Sequence, residues 1–467
     1  MNAFQTIRQK VYFIPTLYGF LGFLLALLVI LGDGRYAMTL SGMLPPFFTL
    51  GSDLTRSLFG ALVGALLAMI TVSFSTMMVV LTLYSGQFSP RITRDFLERK
   101  VSLRVLGLFM GSFIFSLFGL YASGGVQGDR FLLMPLTGLG LAIACLSAFG
   151  YFIFHVSKAV QINSIIEKIT GDILRVVDKT IEKQKNDPQV QNRLEKKPER
   201  VDKEVFVEVP AGTWGFIGNI DEKTLLKLAV EADCLFHLKK RLGDFVQEED
   251  VLARVYRYRP EPEDGGASDG EHTVPPDPEE LTEKIQKAFS LGEERNTLQD
   301  AEFGIVKLVE IALRAISPGI NDPNTAIYCI SKLSPILRKI GTELEHRYYF
   351  DEQEVLRLHI HDVAFEPLLY NSYFQLRNYG RHDVSVLGAM IDSLIGILGE
   401  EGYQDAGPVW TMAEYLLEDV GCDSFPAMDI DYLNSRVQKL ARLSGRDPQT
   451  LLLGKRQEGN CTAVQNV

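Results

Sequence analysis

Four stretches without a single charged side chain constrain this chain more than anything else in it. They cover residues 11–32, 57–90, 105–128 and 131–157, which are 22, 34, 24 and 27 residues long. A helix needs about 20 apolar residues to cross the hydrocarbon core of a bilayer. The runs therefore predict four transmembrane helices, near 12–31, 58–84, 103–122 and 131–156. Charge is correspondingly lopsided. Residues 1–156 hold ten Lys/Arg and five Asp/Glu, whereas residues 157–467 hold 37 and 53. A single ordinary water-soluble globule is excluded. The expected fold class is an α-helical membrane domain of four spans followed by a mainly α, α+β cytoplasmic domain containing a small barrel-sandwich-like β module.

Arg8 and Lys10 precede the first run, as they would in a secretory signal. The run is long for a signal core, however, and no small-residue cleavage site separates it from Asp33, so it reads as a span. Four spans place the two flanking segments on one side. The leading segment (Arg8, Lys10) and the second loop (Arg91, Arg94, Arg99, Lys100) carry six Lys/Arg against three in the first and third loops (Arg35, Arg56, Arg130). The positive-inside bias puts the leading segment, the second loop and the large C-terminal region in the cytoplasm of a bacterial inner membrane. The first outer loop, residues 36–52, is uncharged, and Pro45-Pro46 excludes a regular spanning helix there. It reads as an apolar loop on the helix ends, or as a re-entrant segment.

The second span has a distinctive face. Gly60, Gly64, Ala68, Thr71, Ser75, Met78, Thr82 and Ser85 recur at spacings of three and four, so they share one side of a helix. Small residues let helices approach closely and hydroxyls can bond across an interface. The face is either a packing seam inside the four-helix unit or the wall of a path built by several subunits. Gly107 and Gly111 form a GxxxG in the third span, and Gly140, Ala144 and Ala148 repeat the spacing in the fourth, which suggests tight packing. No Asp, Glu, Lys or Arg falls mid-membrane, which counts against a proton-coupled pump. His155 reads as an interfacial anchor.

The second span ends in FSTMMVVLTLYSGQFSPRITRDFL (residues 74–97), and a later stretch reads DAEFGIVKLVEIALRAISPGINDPNTA (residues 300–326). In this order, behind a Pro-containing first span, the two strings resemble the bacterial domain-of-unknown-function 2254 family of predicted membrane proteins, over roughly residues 10–400. Gln87, Ser89, Pro90 and Arg91, and then Ser317, Pro318, Gly319, Asn321, Asp322, Pro323 and Thr325, carry the likeness. The resemblance implies the membrane topology and no activity. Read from the residues themselves, Ser89-Pro90 and Asp322-Pro323 are each an N-cap with proline in the first helical turn. A helix start in a Gly/Pro turn also offers backbone N–H groups to an anion or a partner. Arg91 and Arg94 could instead meet acidic lipid head groups.

Beyond the spans, residues 157–204 read as a juxtamembrane helix with an Ile/Val stripe and a charged linker. Residues 205–258 alternate as strands. Their RLGDFVQEEDVLARV text resembles the turn of barrel-sandwich domains, but no lysine stands at a hairpin tip, so covalent cofactor carriage is not expected. Residues 259–280 form an acidic linker, residues 281–450 a mainly helical domain with a hairpin at 346–360, and residues 451–467 a disordered tail. Five scattered cysteines fit a reducing compartment and no disulfide framework. The net charge of −11 argues against nucleic acid as a partner. No phosphate-binding, zinc-protease or nucleophile motif occurs, so no cofactor and no catalysis are expected. His359 and His361 share a strand face at two-ligand spacing, but no third ligand is visible from sequence. The partners expected are membrane lipid, further copies of the chain, and an ion or small ligand. The functions expected are an oligomeric channel or transport protein lined by the second span or, alternatively, a membrane-anchored sensor or scaffold.

Overall fold

The computed structural model describes residues 13–41, 50–87, 100–124, 130–187, 189–191, 205–258, 277–293, 295, 300–343, 346–361, 365–399, 405–420 and 425–454. The chain divides into two compact units, residues 1–165 and 166–467. Residues 36–41, expected to begin the uncharged first loop, instead continue the first helix; residues 42–49 of that loop with Pro45-Pro46, the Ser89-Pro90-Arg91 helix start, Asp362, and most of the two charged linkers lie outside the described residues.

In the first unit, long apolar runs become long helices because a helix satisfies its own backbone hydrogen bonds. They are α1 (Phe13–Ser41), α2 (Ser52–Gln87), α3 (Lys100–Ala122) and α4 (Leu133–Val160), with a two-residue ladder pairing β1 (Leu50–Gly51) and β2 (Arg130–Phe131). All four helices are long and apolar enough to cross a membrane, over Phe13–Asp33, Ser52–Thr82, Ser102–Ala122 and Leu133–Lys158. The tightest contact joins α1 to α3. A Cβ placed on Gly22 would lie 2.1 Å from the Gly111 carbonyl oxygen, and one on Gly111 would lie 2.6 Å from the Tyr18 carbonyl oxygen. Backbone therefore meets backbone, as small residues permit. Elsewhere Phe59 of α2 is fully buried, and Cβ atoms added to Gly119 and Gly138 would each strike its ring at 2.8 Å.

Asp33 is buried near the end of the apolar part of α1, where its carboxylate accepts from the backbone N–H groups of Leu132 (3.2 Å), Leu133 (2.8 Å) and Met134 (2.8 Å). Those amides have no partner inside α4, so a residue 100 positions away caps the helix. Asp33→Ala is expected to cost about 2 kcal/mol, the upper end for loss of an N-cap, and Asp33→Asn less, since one oxygen remains. Thermal unfolding of the detergent-solubilised chain checks the order; equal melting of the Ala variant and the parent would refute it.

The second unit begins within α5 (Ile162–Asn186), whose Ile166, Ile169, Ile173 and Val177 form the buried stripe expected from their spacing. After β3 (Val190–Gln191) come β4 (Val207–Pro210), β5 (Gly215–Ile220), α6 (Glu222–Glu231), β6 (Cys234–Leu238), β7 (Phe245–Val246), β8 (Val251–Arg257), α7 (Pro278–Lys287) and β9 (Phe289–Gly292). The chain continues through α8 (Ala301–Ala315), α9 (Pro323–Glu343), β10 (His346–Phe350), β11 (Leu356–His361), α10 (Phe365–Gly380), α11 (Val384–Leu398), α12 (Gly407–Leu417) and α13 (Ala427–Ser444). Side-chain carboxylates set several helix starts. Asp221, Asp277, Asp300 and Asp383 each accept from a first-turn backbone N–H.

The β structure is wider than residues 205–258. A six-stranded sheet runs β3-β10-β11-β6-β8-β4, and a three-stranded one runs β7-β5-β9. The hairpin β10–β11 forms where expected but joins the main sheet, because β11 lies parallel to β6 with His359 opposite His237. Residues 289–292, inside the stretch expected to be mainly helical, form β9, which pairs with β5. One face of the main sheet is apolar: Phe236, Leu358, Ile360 and Val255 pack with Leu225 of α6 and Ile285 of α7. Residues 451–453, expected to open a disordered tail, are instead packed against the fold. Leu451, Leu452 and Leu453 are buried, and Asn434 bonds both backbone groups of Leu453.

Candidate functional site

The other face of the main sheet is polar, and alternation along the strands explains why. In HRYYF, Tyr349 points to the core, so His346 and Tyr348 point away; in LRLHIH, Leu358 and Ile360 are buried, so His359 and His361 point away. Register then assembles side chains from distant parts of the chain. Tyr348 stands opposite His359, His359 opposite His237, His237 opposite Arg254, and Arg254 opposite Glu208. His346 stands opposite His361 in the adjacent row.

The rings stack across the strands. Centroids are 4.6 Å apart for Tyr348–His359, His359–His237 and His346–His361, with interplanar angles of 12°, 26° and 22°. His359 Nε2 and His346 Nδ1 are 3.4 Å apart. Burial, aided by Lys239, Arg254, His361 and His346, pushes the His237 imidazole down to about 4. Burial, aided by His237, His346, His361 and Lys239, pushes His359 down to about 3. Both are neutral at pH 7.

These histidines line a pocket of about 530 Å³ together with Leu238, Lys239, Arg241, Asp244 and Pro367. The turn after β6 holds the cations in place. Gly243 sits at φ +86°, and a Cβ there would lie 2.2 Å from Asp300 Oδ2, so only glycine suits this bend. The Arg241 side chain meets Glu302 at 3.0 Å and Asp244 at 3.5 Å. Arg254 is paired with Glu208 at 2.8 Å. Lys239 is exposed and makes no ion pair among the described residues. Among those residues no three His, Cys, Asp or Glu side chains are placed to hold a metal ion.

The residues singled out from sequence lie elsewhere. On α2, Gly60, Gly64, Ala68, Thr71, Ser75, Met78 and Thr82 are exposed, while Thr55, Phe59, Leu66, Ser73 and Val80 form the buried face. The seam expected inside the four-helix unit is thus on the opposite side of the helix, where Phe59 and Leu66 bury more apolar area than the small residues could. The hydroxyls of Thr71 and Thr82 donate to the carbonyls of Leu67 and Met78 in their own helix. Ser85 and Gln87 are described only as helix backbone, and Ser89, Pro90 and Arg91 lie outside the described residues.

The later motif is a closed turn. Ser317 donates from its hydroxyl to Arg314 O, Asn321 (φ +51°) donates its N–H to Ser317 O, and Asp322 donates its own to Ala315 O. The Asp322 carboxylate then accepts from Thr325 N (3.2 Å) and Oγ1 (2.6 Å), with Pro323 in the first turn of α9. It occupies the position an anion would take at that helix start. Pro318 and Gly319 are exposed at the tip, and Thr325 is buried beneath it.

A family model described as predicted membrane protein, DUF2254, matches residues 8–395. Uncharacterized proteins of Mycobacterium bovis and Mycobacterium tuberculosis are 28% identical over 345 residues, covering 72% of this chain and 63% of theirs. The chain thus spans less than two thirds of the length of these relatives. No solved structure matches it.

Proposed function

The chain belongs to the DUF2254 family of predicted membrane proteins, and on that premise we propose that it is a membrane-anchored, non-enzymatic receptor for a small ligand. Its four apolar helices cross a bacterial inner membrane. The excess of Lys/Arg before the first span and between the second and third supports a cytoplasmic position for residues 166–467. The observation that carries the receptor reading is the convergence of His237, His346, His359 and His361 with Lys239 and Arg241 on one pocket. Ligand sites are concave, with a few convergent polar groups.

The test is a melting-temperature screen of small polar metabolites against the full chain in nanodiscs, run beside an H237Q/H359Q double variant. A compound at a hundred times its Kd adds about 2.7 kcal/mol of stability, which is roughly 3 °C for a chain of this size. A rise of that order in the parent and none in the variant supports the reading. Equal rises in both, or none with any compound, would sink it.

The outward stripe on α2 favours a second reading, an oligomeric channel or transport assembly of several copies. Its discriminating measurement is the mass of the nanodisc particle. A ring of three or more subunits supports a path along α2; a monomer or simple dimer leaves the receptor alone.

A further inference from the structure

Around the histidine pocket, the carboxylates are already committed. Asp244 and Glu302 face Arg241, and Glu208 faces Arg254. Lys239 on the rim is left uncompensated among the described residues. The imidazoles of His237 on β6 and His359 on β11, both neutral, stand in one row with Tyr348, and the rings of His346 and His361 form the adjacent row. Pro367 of α10 brings no charge. Rings stacked face to face present their edges side by side, which suits a ligand with several acceptor oxygens. A metal ion needs donors converging on one point instead, and no such trio is placed among the described residues.

Resting on the reading of this pocket as the ligand site, we propose that it takes a small oxyanion of the sulfate or phosphate-ester class, and that one imidazole takes up a proton as the anion binds. The reaction is balanced by solvent: a proton leaves water or buffer and joins an imidazole nitrogen, converting a one-donor ring into a two-donor cation beside the anion. The groups that suppress this in the empty pocket are burial, Lys239, Arg254 and the neighbouring histidines. A dianion reverses their effect by supplying the opposite charge at contact distance. Binding therefore strengthens as pH falls toward the range where the occupied imidazole titrates.

Sodium sulfate is the probe, because it stays a dianion between pH 5.5 and 7.5 and contributes no titration of its own. Calorimetry is run on the full chain in phosphatidylcholine nanodiscs at those two pH values, in buffers of different ionisation heat. The expected result is an affinity about tenfold higher at pH 5.5, with uptake of about one proton. H237Q and H359Q are each expected to flatten that dependence, and K239A to weaken binding at both pH values. Sulfate binding that is independent of pH, without proton uptake, overturns the proton coupling. Binding of Zn²⁺ or an uncharged compound in the pocket, with none of sulfate, overturns this inference and leaves the receptor reading standing. No binding of any compound overturns both. The same titration in phosphatidylglycerol nanodiscs separates two sources of the oxyanion. Unchanged sulfate binding supports a soluble ligand, and loss of it supports a lipid phosphate as the occupant.

Discussion

Gly22→Leu is expected to split α1 from α3 and leave no stable membrane unit. The position allows no side chain at all, since a Cβ would lie 2.1 Å from the Gly111 carbonyl oxygen. The obstacle is backbone, which cannot rotate aside as a side-chain tip can. Overpacking a core with flexible neighbours costs about 1–3 kcal/mol, and a helix pair forced apart along its length loses more. The variant should give no monodisperse peak in detergent, or one melting more than about 10 °C below the parent. Gly60→Leu is the control: nothing lies within 4 Å of a Cβ there, and its melting should match the parent. A Gly22→Leu chain that melts with the parent would mean that α1 and α3 do not meet this way.

Arg357→Ala is the corresponding expectation for the second unit. Arg357 is buried, donates from Nε to Asp351 (2.7 Å) and from Nη1 to Asp233 (2.6 Å), and lies over the Tyr258 ring. Asp351 is also buried, so removing the guanidinium strands a carboxylate away from water. Breaking one side of a buried pair costs about 3–5 kcal/mol. The pair also sets a pH signature. Burial alone would push the Asp351 carboxyl up, but Arg357 and the backbone N–H groups of Val355 and Gln353 outweigh it and hold it below the usual carboxylate range. A depressed folded-state value gives stability that is full above the ordinary aspartate range and lost as pH falls through the lowered one. Chemical unfolding from pH 7 to pH 3 should show a steep acid decline in the parent and a shallower one in Arg357→Ala. Parallel declines would remove Asp351 from that account.

The elements legible in sequence are those specified locally. Uncharged runs of span length announce α1 to α4, and the Ile/Val stripe at helical spacing announces α5. The Asp322-Pro323 start of α9 was readable because it too is specified locally. Contacts were legible only from one side. Gly107 and Gly111 signal a close approach, but nothing in them names Tyr18 and Gly22 as the partners. The α2 stripe was readable as a face, yet its direction depends on Phe59 fitting against Gly119 and Gly138, which pattern alone does not reveal. Strands of two to four residues such as β3 and β9 escape because their partners, not their own residues, specify them. The histidine pocket is the extreme case. Its two β11 members stand two residues apart, whereas His237 and His346 arrive from separate segments through a parallel register no local spacing encodes.

That register has a consequence for biogenesis. β6 is made more than a hundred residues before β11, its parallel neighbour. As the chain leaves the ribosome, the four apolar helices and β6 to β8 are complete while the side of β6 that β11 will cover still exposes unpaired backbone. An edge of that kind invites pairing with another chain. Synthesis halted before residue 346 would therefore yield a species with its four apolar helices complete but prone to aggregate. The pocket is a late product of translation, made only when the last strand of its sheet docks.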